Sequence, residues 1–75
     1  MNYNAKWNDR PRKIYVFQPH GNGVGIWEVM VDNYYSGVIL YGGGRIEFVP
    51  SSEQYPIPEI VLQRILKDVR VATSQ

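Results

Sequence analysis

Ile26-Trp27-Glu28-Val29-Met30-Val31-Asp32 is the stretch on which the fold turns. Read as an extended segment, Trp27, Val29 and Val31 point one way, while Ile26, Glu28, Met30 and Asp32 point the other. Upstream, Lys13-Ile14-Tyr15-Val16-Phe17-Gln18 is β-branched and aromatic, suits a strand, and is stopped by Pro19. Between the two lies His20-Gly21-Asn22-Gly23-Val24-Gly25, a loop, because three glycines in five positions are costly inside a regular element.

Downstream, a turn is expected within Asp32-Asn33-Tyr34-Tyr35-Ser36-Gly37, either a four-residue loop or a tight turn at Ser36-Gly37. Val38-Ile39-Leu40-Tyr41 makes a third strand, Gly42-Gly43-Gly44 a turn, and Arg45-Ile46-Glu47-Phe48-Val49 a fourth strand ended by Pro50. Pro58 suits the first position of a helix, with Glu59 beside the positive end of its dipole, although Ile57 offers no capping acceptor. Val61, Leu62, Ile65, Leu66 and Val69 then form one apolar stripe. The expected fold is α+β: a single small domain with a four-stranded antiparallel sheet, in β-β-β-β-α order, packed on one C-terminal amphipathic helix. Residues 1–12 read as a basic, aromatic N-terminal arm, 13–71 as the α+β domain and 72–75 as a frayed tail.

At 75 residues the chain holds one domain and a small core. Eight Lys and Arg against seven Asp and Glu give a net charge of +1. That excludes a polyanionic mimic and a protein that coats nucleic acid by bulk charge. The distribution is uneven: the first thirteen residues carry +3 and the other 62 carry −2. Cysteine is absent, which removes disulfides, thiolate chemistry and Cys-based metal sites. No apolar run is long enough to span a bilayer, and Met1-Asn2-Tyr3-Asn4 does not read as a signal peptide. A cytoplasmic location is the expectation.

Catalytic and cofactor chemistry find little footing. His20 is the one histidine, and no spacing links it to an orienting carboxylate. Gly21-Asn22-Gly23-Val24-Gly25 places Ile26 where the dinucleotide fingerprint requires glycine, and a strand follows instead of a helix. Gly42-Gly43-Gly44 lacks the Lys-Ser/Thr of a P-loop. Glu28 and Asp32 stand about 13 Å apart at strand rise, too far to share an ion. No catalytic residue, cofactor site, metal site or small-molecule substrate is expected.

The informative feature is a surplus of apolar surface. One helix covers one sheet face, and the other should then be polar. Yet Tyr15, Phe17, Ile26, Met30 and Leu40 fall opposite the expected core. Such a face is covered by the arm folding back with Trp7 and Tyr3, by a second copy of the chain in a homodimer, or by a different protein. The leading expectation is a non-catalytic protein-binding module, an inhibitor or regulator, acting through these five residues. Its size and layout are those of many compact accessory proteins, including those encoded by phages and mobile elements. The alternative is single-stranded nucleic-acid binding. Lys6, Trp7, Arg10, Arg12 and Lys13, with Tyr15, interleave cations for phosphates with rings for bases. Arg64, Lys67 and Arg70 on the helix read as a solvated face.

Overall fold

The computed structural model describes residues 1–19, 25–51 and 57–73. The chain forms five strands: β1 (Asn2–Trp7), β2 (Arg10–Phe17), β3 (Ile26–Val31), β4 (Tyr34–Gly42) and β5 (Arg45–Pro50). One helix, α1 (Glu59–Thr73), follows. The strands make an antiparallel meander in the order β1-β2-β3-β4-β5. The α+β class, the antiparallel sheet and the C-terminal helix match the sequence reading. The expected strand count of four is corrected to five, because residues 2–7 of the basic stretch pair with β2 along their whole length.

The missed strand follows from a missed turn. Asn8 and Asp9 have φ of 53° and 59°, so two residues that tolerate the left-handed region close a two-residue hairpin between Trp7 and Arg10. The same geometry recurs at Asp32-Asn33, with φ of 51° and 70°, and at Gly43-Gly44, with φ of 56° and 76°. The second case corrects the turn expected further along, at Ser36-Gly37 or as a longer loop. Turning at Asp32-Asn33 lets β4 begin at Tyr34 and extend over nine residues.

Ser36 and Gly37 then mark a β-bulge inside β4. Val29 pairs with Gly37 but Met30 pairs with Tyr35, which leaves Ser36 as the extra residue. Glycine is required there: with φ of 155°, a Cβ at position 37 would lie 2.4 Å from the Val49 carbonyl oxygen.

Cross-strand partners share a face of the sheet. Tyr3, Ile14, Val16, Val29, Val31 and Ile39 are buried on the helix side against Ile65 and Val69 of α1. Trp7, Trp27, Ile46, Phe48, Ile57, Val61 and Leu66 pack around them. Each fully buried aliphatic contributes about 1.5–3 kcal/mol. Ile57 thus serves the core in place of a cap, and the Pro58 carbonyl accepts the first helical amides, from Val61 at 3.0 Å and Leu62 at 2.9 Å. At the other end, residues 72 and 73 continue the helix, and the Thr73 hydroxyl donates to the Val69 carbonyl at 2.9 Å.

Candidate protein-docking face

The side of the sheet away from α1 is built from alternate residues of four strands. Register places Tyr15, Met30 and Tyr35 in one row across β2, β3 and β4. Phe17, Glu28, Val38 and Val49 form the next, from β2 to β5. Ile26, Leu40 and Glu47 form a third. All five residues singled out for this surface, Tyr15, Phe17, Ile26, Met30 and Leu40, therefore stand on one face. Tyr35, Val38 and Val49 join them. The first of these was hidden by the misplaced turn, since only a strand beginning at Tyr34 brings Tyr35 beside Met30.

The face is open. Tyr15, Phe17, Ile26, Tyr35, Leu40 and Val49 are each between 37% and 47% exposed, while Met30 and Val38 are half-buried. Together the eight side chains leave roughly 500 Å² of apolar area in contact with solvent, near the top of the range for the largest patch on a monomer. Polar side chains bound it: Asn2, Asn4, Lys6 and Lys13 at the β1 edge, Arg45 and Glu47 on β5. Tyr3 and Trp7, the expected plugs of the arm, lie on the opposite, helix-packed side.

That placement also divides the basic and aromatic set. Lys6, Lys13 and Tyr15 stand on the open face, whereas Trp7, Arg10 and Arg12 fall on the other side of the sheet. Trp7 packs on the core and the Arg12 guanidinium lies 5.5 Å from its ring centre. Arg12 also donates to Asp32 at 3.1 Å. The Lys13 amide donates to the same carboxylate at 2.9 Å. The Lys13 amide first, then the Arg12 side chain, hold Asp32 below the usual carboxylate range. These groups clasp the β3–β4 turn to β2.

A second polar clasp joins helix to sheet. The Tyr3 hydroxyl donates to Asp68 at 2.7 Å, and Arg64 lies 5.6 Å from the Tyr3 ring centre. Burial, reinforced by the bond to Asp68, pushes the Tyr3 phenol well above its ordinary value. Arg64, one of the three helix cations, thus contacts the sheet, while Lys67 and Arg70 are exposed.

His20 and the loop residues 20–24 lie outside the described residues. Among the described residues no three His, Cys, Asp or Glu side chains gather as metal ligands, and no helix is long and apolar enough to cross a membrane. A concavity of about 650 Å³ lies at the end of α1, lined by Gln18, Gly25, Trp27, Tyr41, Gly42, Ala72 and Thr73. No family model matches the chain, and neither a curated protein nor a solved structure matches it.

Proposed function

We propose that this chain is a non-catalytic protein-binding module whose working surface is the open face of the sheet. The observation that supports it is the cluster of eight apolar side chains around Glu28 on that face, framed by charged and amide side chains. A largely apolar patch with a polar rim is the anatomy of a protein interface. Occupied from both sides, the patch accounts for about 1,000 Å², the lower bound for a specific contact, which suits an inhibitor or regulator of modest affinity. The test is a selection of random peptides on the immobilised chain, scored against Met30→Lys and against Lys67→Glu on the exposed side of α1. Binders that lose Met30→Lys and keep Lys67→Glu support the reading. Binders indifferent to Met30→Lys, or a selection that returns none, overturn it.

A second reading draws on one arrangement. Lys6, Lys13 and Tyr15 share the open face at the β1–β2 edge, where a single strand of nucleic acid meets cations and a ring together. It predicts salt-sensitive oligonucleotide binding that is lost when Lys6 and Lys13 are both replaced by Ala. Unchanged fluorescence anisotropy of a labelled oligonucleotide with the chain at about 50 μM removes it.

A further inference from the structure

Glu28 sits at the centre of the open face, and every neighbour it has there is apolar. Phe17 is its partner on β2, Val38 its partner on β4, and Ile26 and Met30 flank it along β3. It is half-buried, and it makes no hydrogen bond or ion pair among the described residues. The cations of that face are remote. By register, Lys13 stands one strand over and four residues along, about 14 Å away, and Arg45 two strands over, about 16 Å away. The charge nearest in register on β5 is Glu47, another carboxylate.

We infer that the occupant of this face is a different protein that presents one Lys or Arg, set within an apolar surround, to Glu28; this rests on the reading of the face as a docking surface. The physical reason is desolvation. An occupant that is apolar throughout strips water from the carboxylate and returns nothing to it, which is strongly unfavourable. A second copy stacked symmetrically on the patch brings its own Glu28 toward the first, a like-charge juxtaposition. A cation in the occupant satisfies the carboxylate in surroundings drier than bulk water, with the Phe17 ring as the cross-strand neighbour of the same point. The carboxylate therefore selects among apolar partners and disfavours self-association.

Peptides selected as above decide the matter. Those that depend on Met30 should carry a Lys or Arg between aliphatic or aromatic residues, and Glu28→Gln should weaken them at least about tenfold. Glu28→Gln keeps the size of the side chain on a half-exposed position, and an unchanged melting temperature verifies its fold. Replacing the peptide's cation by norleucine should weaken binding to the original chain and lose that effect on Glu28→Gln. Peptides that need Met30 but carry no cation, or that bind Glu28→Gln equally well, overturn this inference and leave the docking face standing. Peptides that ignore Met30 overturn the face itself. A molar mass of twice the chain at about 50 μM, by light scattering, overturns the inference in favour of a second copy.

Discussion

Replacing Gly37 by alanine should destabilise the fold severely, and the size of the effect follows from β5. A Cβ at position 37 would stand 2.4 Å from the Val49 carbonyl oxygen, 2.9 Å from Pro50 Cα and 3.0 Å from Phe48 Cε1. Two of those three atoms are backbone, so no rotamer change relieves the clash, and β5 must retreat by about 1 Å to reach van der Waals contact. The φ of 155° adds strain for any residue with a Cβ. Pairing of Gly37 with Pro50 and the bond from the Ser51 amide to the Ser36 carbonyl lie at the same point. A loss of about 3 kcal/mol or more is expected. The whole stability of a 75-residue domain is about 4–11 kcal/mol. The melting temperature should fall by roughly 12–24 °C. Thermal melts followed by circular dichroism, with urea midpoints beside them, measure it. A Gly37→Ala variant within about 0.5 kcal/mol of the parent would refute the reasoning, because it would show that the bulge does not bring β5 hard against position 37.

Three further outcomes follow from the clasps and from the two faces. Tyr3→Phe should lose about 1.5–3 kcal/mol at neutral pH by deleting the hydrogen bond to Asp68. Because the folded phenol titrates above its ordinary 10.0, that increment is whole below pH 10 and shrinks as pH rises through the folded value. Urea midpoints of the two proteins should converge above about pH 10, and a constant gap to about pH 11.5 would count against the clasp. Asp32 titrates below 3.8 in the fold, so its contribution is present above that value and disappears as pH falls through the lowered one. Asp32→Asn should flatten the acid limb of stability below about pH 4, and an acid limb of equal slope in both proteins would contradict it. Finally, Phe17→Ser and Leu40→Ser, at side chains about 40% exposed, should each cost clearly less than the about 2–5 kcal/mol expected for Ile14→Ala or Ile39→Ala, which remove fully buried side chains. Equal losses would mean that the open face is covered in the free chain.

The alternation of Ile26–Val31, the apolar stripe of α1 and the triple-glycine turn were legible because each is a local pattern with a single period. Two turns were not. Asn8-Asp9 and Asp32-Asn33 are both pairs of residues able to enter the left-handed region, a hairpin signal weaker than Asn-Gly but of the same kind. Reading both would have added β1 and moved the start of β4 to Tyr34. Instead, the glycine at 37 drew the turn toward itself, although its role is to admit β5 beside a bulge, a long-range demand with no local signature. The five apolar residues of the open face were legible as a set, since parity along a strand is enough to group them. Which of the basic residues accompany them was not. Lys6 and Trp7 adjoin in sequence, and only the pairing of β1 with β2 sends them to opposite faces.

The distribution of polar groups over the two faces bears on why one stays uncovered. On the helix side, Tyr3 pairs with Asp68 and Arg12 with Asp32, while Arg12 Nε and Trp27 Nε1 are buried without a hydrogen-bond partner among the described residues. On the open side, the one carboxylate ringed by apolar residues has no partner among the described residues. A chain selected only to fold has no use for a charge at that position, since valine or threonine there would suit the strand better. Retaining Glu28 has a physical consequence in each state of the molecule. In the free chain it keeps water on a surface that would otherwise stack. In a complex its desolvation is unfavourable unless the incoming surface carries a cation to the same point. On the proposed reading, one side chain would serve both to keep the free face wetted and to select its partner, and Glu28→Gln separates the two. It should weaken a cationic partner while leaving the monomer soluble, because the amide still holds water but no longer attracts charge.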